Sequence, residues 1–599
     1  MQNTETKICQ NCRQNFTIEA EDFDFYEKIK VPPPTFCPDC RLQRRLLWRN
    51  ERTLYRRKCN APGHTEDMIS YIAPEKPYTV YDQRFWWSDD WNPLAYGKEY
   101  DFSKPFFAQF KELLVRTPHA SLSSAYASMV NSDYSNWAGD LKNCYLVTDA
   151  DFVQDSGYSS SIFQSRDCYD CNTVSDSELC YENVNCRKDY RVVYSVDSHE
   201  CTDVSFSKYC RGSSHCFGCF GLGKKSYYIF NQPYSKEDYF KKVDELMDDW
   251  SRERIQAVRK RAEDHFMNYP NRAFHGLHNT NVSGDYIYNS KNVYRGFLVT
   301  DVENSKYVAL IHSPGTRDCF DYTDWGDNAQ LVYESIACGL GVSNIKFSNL
   351  VVLNSKDAQY SYFSYGCSNI FGCSDLRKKE YCILNKQYTR GEYESLIPKI
   401  IRHMDEMPYT DKKGRVYRYG EFFPPELSLF AYNESMAKEI FPLGKKETEE
   451  KGFVWRDDDL RDYKITMPVS AIPPSISKTD DSITKEIIAC AHDGNCAHNC
   501  TKAFRVIAQE IQFYRKMGLP VPEICPNCRH YERLRWRNPM KLWQRNCDCG
   551  GAESKNGVYK NVAKHEHGGN ECPIAFETSY NPKGPEIVYC VPCFTVETE

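Results

Sequence analysis

From about Asn131 onward the chain alternates short apolar runs with polar turns, in stretches such as NCYLVTD, RDCYDCNTV, LCYENVNC and ECTDVSF. The pattern recurs every ~10 to 12 residues, a spacing that predicts many short strands. The block is written twice. RDCYD at 166–170 returns as RDCFD at 317–321, LCYENVNC at 179–186 as LVYESIAC at 331–338, and FGCFGLGKKSYYIFNQPYSKEDY at 217–239 as FGCSDLRKKEYCILNKQYTRGEY at 371–393. A short fixed period with small, stackable residues predicts a mainly β protein built on a duplicated parallel β-helix or solenoid, with coils of ~20 to 24 residues.

Each half ends in a change of period. Val243, Leu246, Met247, Trp250, Ile255 and Val258 recur at helical spacing, with Ser235 and Asp238 as a capping box and Pro270 as the stop. Thr389 to about Glu406 repeats this arrangement, Pro424 to about Lys446 reads as a further helix, and a charged, Pro-punctuated connector follows.

The two ends of the chain share a different pattern. Cys37–Asn50, CPDCRLQRRLLWRN, recurs as Cys525–Asn538, CPNCRHYERLRWRN, and FTIEAEDFDFYEKIKVPPPTFC at 16–37 aligns without a gap on FRVIAQEIQFYRKMGLPVPEIC at 504–525. In the first copy Cys9 and Cys12 form one CxxC and Cys37 and Cys40 another, the four thiolates that a closed tetrahedral structural zinc site requires. In the second copy Cys500, Cys525 and Cys528 keep their places, but Ala497 stands opposite Cys9. Cys496 is the chosen fourth ligand, with Cys490, His492 and His498 as nearby substitutes. A further centre is expected at Cys572, Cys590 and Cys593, completed by Cys549, with Cys547, His565 and His567 as alternatives. The first copy carries Asp82 opposite Cys590 and so reads as a module that has lost this centre, leaving Cys59 without a metal.

The expected organisation is a zinc ribbon with a basic helix over 1–60, an aromatic-rich connection over 61–130, and β-solenoid halves over 131–234 and 271–388 separated by a helical insertion over 235–270. A helical flank at 389–445 and a linker at 446–485 lead to a second ribbon at 486–547 and a small zinc ribbon at 548–599. Trp86, Trp87 and Trp91 read as packing rather than a ligand cage.

Net charge sharpens only the ends. The chain of 599 residues carries a formal charge of -6, so the whole molecule is no obvious polyanion binder. Between Arg41 and Lys58, however, eight basic residues face one acidic residue, and between Arg529 and Arg545 six face one. Either these segments grip phosphates, through Arg41, Arg45, Arg49, Arg529, Arg533 and Arg537, or they are amphipathic helices whose leucines and tryptophan pack inward. The 29 cysteines are too many for zinc alone. Most of those in the repeat align with Val, Phe or Tyr in the other copy, as Cys180 does with Val332, so they are expected as small buried hydrophobes. No run is long and apolar enough to span a bilayer and the first residues lack a signal-peptide core, which leads to the expectation of a soluble cytoplasmic protein.

The pattern CQNC...F.I...D..FY......P....CPDCR resembles the zinc-ribbon domains of uncharacterised bacterial proteins, and CPIAFETSYNPKGPEIVYCVPCF is similar to a second small ribbon that usually begins with a full CxxC, incomplete here. The resemblance covers the two ends and implies metal binding, without a reaction to transfer. No GxxxxGK[ST], GxSxG or HExxH pattern is present. The sequence therefore points to a non-enzymatic zinc scaffold with two or three Zn2+ ions, recognising nucleic acid through the basic helices. The alternatives are a protein-interaction scaffold using the solenoid face and a carbohydrate-active β-helix, for which the duplicated Arg166, Asp167 and Asp170 and Arg317, Asp318 and Asp321 are the candidate groups.

Overall fold

The computed structural model describes residues 4–457 and 463–598. Two compact units emerge, Met1–Leu122 with Phe274–Arg456, and Ser123–Ala273 with Asp457–Glu599. Each unit therefore joins one terminal module to the half of the duplication farther from it in sequence.

In the second unit the strands of the repeat, from Asn136–Lys142 to Ser226–Ile229, are short and parallel. Asn136–Lys142 pairs with Thr148–Gln154, Ser160–Phe163 with Asn172–Ser175, and Arg166–Tyr169 with Glu178–Tyr181. Asn136 lies opposite Thr148, Cys168 opposite Cys180, Val174 opposite Cys186 and Cys216 opposite Tyr228, so the register returns after 12 residues. That is half the coil length expected from the sequence. The reason is local: Asp140, Asn143, Leu146, Asp149, Phe152 and Asp155, every third residue, are left-handed, with φ of 48–58°. A turn every three residues closes the repeat sooner than strands of ordinary length allow. Asp and Asn tolerate this region best, and their side chains also bridge successive repeats, Asn143 donating to Asp155 at 2.9 Å.

The interior of this ladder is apolar and rich in thiols. Cys144, Cys168, Cys171, Cys180, Cys186 and Cys201 pack among Val147, Val153, Ile162 and Val174. Burial pushes the Cys144 thiol up to about 11 and that of Cys201 to about 12, so both stay protonated near neutrality. The reading of the repeat cysteines as buried hydrophobes agrees with this placement.

The first unit carries a looser version of the ladder. Val282 lies opposite Val293, Lys291 opposite Glu303, Tyr322 opposite Ser335 and Val302 opposite Thr316, so the step varies from 11 to 14 residues. One irregularity falls at Gly284, whose φ is +134°; a Cβ there would meet the Gly296 carbonyl oxygen at 1.8 Å. Only glycine fits that crossing. Val293, Val299, Ile311, Cys319, Val332 and Ile345 fill the interior. Trp86 is fully buried, edge-on to Phe363 and tilted against Trp91, which makes the tryptophan cluster packing.

The helical tail of the first half forms as two helices, Lys236–Leu246 and Arg252–Phe266, with Ser235 accepting from the Asp238 amide. Met247, Ile255, Val258 and Phe266 cover Phe206, Phe217 and Phe220. The tail of the second half is Arg390–Glu406, started by a Thr389/Glu392 capping box. The helix expected from Pro424 to Lys446 does not form; short turns at Pro425–Leu427 and Tyr432–Glu434 and short helices at Met436–Ile440 and Lys445–Glu450 replace it. Phe422, Phe423, Leu427, Phe430 and Tyr432 are all buried, without the helical period that one continuous helix would need. Within the expected linker, residues 458–462 lie outside the described residues, and Ile472 and Ile483 enter the core of the second unit. Among the described residues no helix is long and apolar enough to cross a membrane.

Candidate metal centres

The first centre is assembled by a hairpin and a helix. Strands Glu5–Ile8 and Asn15–Ile18 close a turn that carries Cys9 and Cys12, while Cys37 is the residue before helix Pro38–Leu46 and Cys40 sits in its first turn. The four sulfurs lie within 4.8 Å of one another, with Cys12 and Cys37 3.6 Å apart. Zinc–sulfur bonds of about 2.3 Å in a tetrahedron place sulfurs ~3.8 Å apart, so the spacing suits a closed metal site. The Asn11 amide donates to the Cys40 sulfur at 3.2 Å, support of the kind that orients a ligand.

The second centre repeats this plan with one exchange. Hairpin Ile488–Ala489 and Ala503–Phe504 brings Cys490 and Cys500 to Cys525 and Cys528, where Cys525 precedes helix Pro526–Leu534. Cys490 follows its strand as Cys9 follows Ile8, and it occupies the place for which Cys496 was chosen. Cys496 instead joins His492, His498 and Cys528 in a neighbouring group. A gapless alignment hides this because the turn from Cys490 to Cys500 is longer than the one from Cys9 to Cys12. Paired strand ends, rather than residue counts, identify the equivalent cysteine.

The third centre again uses a hairpin, Trp543–Asn546 with Ala575–Thr578, and a short helix, Val591–Thr598. Cys547, Cys572, Cys590 and Cys593 come together here, all buried, with Cys572 3.8 Å from Cys590 and 3.7 Å from Cys593. Cys547 thus takes the place for which Cys549 was chosen. Cys549 lies with His565, His567 and Cys593. In the first unit the corresponding hairpin, Tyr55–Lys58 with Asp67–Ser70, ends at Cys59, whose sulfur lies 3.3 Å from the Asp82 carboxylate. The Asp82 amide donates to that sulfur at 3.3 Å, as the Cys590 amide donates to Cys547 at 3.2 Å.

No family model matches the chain, and no curated protein matches it. Among solved structures the chain is similar to that of a provisionally assigned acetyltransferase from Desulfovibrio desulfuricans G20, at 11% identity over 47% of this chain and 86% of that one. The TM-score is 0.11, too low to carry an argument about fold or activity.

The arginines of the two helices face inward. Arg41, Arg45, Arg49, Arg529 and Arg533 are at most 2% exposed, and Arg537 is half-buried. Arg41 and Arg45 meet the two oxygens of Asp321 at 2.8 and 3.2 Å, and Arg529 and Arg533 meet those of Asp170 at 2.6 and 2.7 Å. Burial disfavours the charge on Arg41, but Asp321 and its neighbours outweigh it and hold the guanidinium above its ordinary value. Burial likewise raises Glu334 and Glu510, which complete the two clusters beside Arg44 and Arg529. Asp170 and Asp321, considered above for sugar chemistry, are thus the buried acceptors of these arginines. Arg49 pairs with Glu51 and Asp324, and Arg537 donates to Asn172 at 3.1 Å. Five of the six guanidiniums named for phosphate contact are turned away from solvent. The signal available in sequence was the coincidence of two duplications, Arg41/Arg529 in the ribbons and Asp321/Asp170 in the repeat.

Proposed function

We propose that this chain is a non-enzymatic, zinc-stapled scaffold in which each of two ribbon modules docks onto the parallel β-helical ladder of its own unit. The observation that carries the reading is the docking of both arginine helices onto equivalent aspartates, which gives the ribbons an internal task. Three groups of four cysteines support zinc as the metal, since soft thiolates in tetrahedral array suit it and a closed set leaves no position for catalysis. The zinc would then replace the hydrophobic core that such small modules lack.

The work of the scaffold, on this reading, is to present the ladder surface to another protein. Phe152, 61% exposed, and Tyr190, 44% exposed, are the large apolar side chains of the second unit's ladder offered as contact points on this reading. Capture of partners on the full chain, compared with a Phe152→Ser, Tyr190→Ser variant, tests this. Loss of the same protein band in the variant is expected; a capture pattern that is unchanged, or one dominated by salt-sensitive nucleic acid, would overturn it.

A further inference from the structure

Building on the reading of the four-cysteine groups as zinc centres, we propose that each of the two carboxy-terminal modules holds a pair of zinc ions bridged by one shared cysteine, Cys593 in the last module and Cys528 in the one before it. Each sulfur belongs to two donor groups at once. Cys593 completes Cys547, Cys572 and Cys590 on one side and Cys549, His565 and His567 on the other, the atoms of each group lying within 4.8 Å of one another. Cys528 likewise completes Cys490, Cys500 and Cys525, and also His492, Cys496 and His498.

The imidazoles of the last module are oriented as ligands are. His565 turns Nδ1 toward the Cys549 sulfur at 3.7 Å, while its Nε2 donates to the Glu597 carboxylate at 2.8 Å. His567 turns Nε2 toward Cys593 at 3.3 Å, while its Nδ1 donates to the Asn570 carbonyl at 2.7 Å. Placing the ring proton on the outer nitrogen leaves a lone pair on the inner one, the arrangement by which carboxylates and carbonyls fix a metal-bound histidine. The Asn561 amide also donates to the Cys549 sulfur at 3.1 Å.

In the preceding module the extra donors arrive as an insertion. Cys490 and Cys500 stand where Cys9 and Cys12 stand, and the longer turn between them carries His492, Cys496 and His498. The Cys496 sulfur lies 3.7 Å from that of Cys528, and the buried Nδ1 of His492 has no hydrogen-bond partner. Sharing also suits the charge. A single zinc on four thiolates leaves two negative charges, whereas five thiolates and two zinc ions with neutral imidazoles leave one. The thiol protons pass to water as the metal binds.

Two bonds of about 2.3 Å to one sulfur place the paired ions no more than ~4.6 Å apart. Native mass spectrometry of the full zinc-loaded chain should count five ions, and X-ray absorption should show a zinc–zinc distance below that limit. His567→Ala and His492→Ala, each on the surface side of its pair, should lower the count by one ion apiece, and together they should erase the zinc–zinc signal. A count of three or four in the unaltered chain, or five without a zinc–zinc signal, would overturn the paired centres while leaving the single zinc sites standing. A count below three would overturn the zinc reading itself.

Discussion

The two units solve one docking problem with one set of contacts. In the first, Phe25 stacks on Phe320 at 3.9 Å, Lys28 reaches Asp318 at 3.4 Å, and Arg41 and Arg45 share Asp321. In the second, Phe513 stacks on Tyr169 at 4.3 Å, Lys516 reaches Asp167 at 3.0 Å, and Arg529 and Arg533 share Asp170. Around this common centre they diverge. The first unit also buries Arg44 between Glu334 and Glu421, Arg49 against Asp324, and Trp48 against Phe423. The equivalent positions in the second unit, Glu532, Trp536 and Arg537, are half-buried, and that unit instead holds the extra Cys and His donors. Beyond the shared contacts, the first unit adds buried charge pairs and rings, and the second adds Cys and His donors.

The largest expected effect follows from taking the metal away on one side only. Structural zinc contributes an apparent ~10–16 kcal/mol in small modules. Cys37→Ser with Cys40→Ser should therefore expose residues 5–58 to hydrogen exchange and proteolysis, and Cys525→Ser with Cys528→Ser should do the same to residues 488–534. Unchanged protection in either pair would mean that the thiols do not hold that ribbon.

Next comes the shared centre. Removing one partner of a buried ion pair costs about 3–5 kcal/mol, because the remaining charge is left unpaired. Asp321→Ala and Asp170→Ala should destabilise their own units by similar amounts in urea unfolding. A large inequality between them would break the equivalence of the two dockings.

Much of this was legible beforehand, and the failures share a cause. The duplications, the thiol groups and the mainly β ladder come from residue patterns that repeat in sequence, and such patterns carry their meaning with them. The direction in which Arg41 and Arg529 point does not, because a basic helix looks the same whether its charges meet water, phosphate or a buried aspartate far away in sequence. Coil length was misjudged for a related reason. The left-handed residues at every third position include Leu146 and Phe152, which carry no turn signature, so the 12-residue period read as one strand and its turn instead of a whole repeat. Cys490 stands only as a substitute for Cys496 in the sequence because a gapless alignment cannot register a lengthened turn.

A smaller effect separates the flanks. Arg49→Met removes the buried guanidinium that pairs with Glu51 and Asp324 and should cost the first unit several kcal/mol, in the range of about 3–5 for a broken buried pair. Arg537→Met removes the hydrogen bond to Asn172 from a half-buried group and should cost the second unit less, about 1.5 kcal/mol for that bond. Equal losses in urea unfolding would show that the two flanks bear similar loads after all.

The last contrast is a difference in sign. In the second unit Asp189 takes a place in the ladder that Ser165, Ser177 and Ser213 hold in neighbouring repeats, and burial pushes its carboxyl up to about 8. Its Oδ1 accepts the Cys201 amide at 2.8 Å. Between the unfolded carboxylate value of ~3.9 and about 8 the folded state holds a proton that the unfolded chain has lost, so this group's contribution falls as pH rises through that window. In the first unit Lys346 donates to the Ile29 carbonyl at 2.6 Å, and burial lowers its ammonium to about 8. Between about 8 and the unfolded lysine value of ~10.4 the unfolded chain holds the extra proton, so this contribution rises with pH. Asp189→Ser should flatten the loss of second-unit stability between pH 5 and 8, and Lys346→Met should flatten the gain of first-unit stability above pH 8. Residue-resolved hydrogen exchange across that range reads both units in one sample. A pH slope in the second unit that survives Asp189→Ser would place its origin elsewhere, while loss at lower pH of any metal held by the thiols would leave the alkaline arm of the comparison intact.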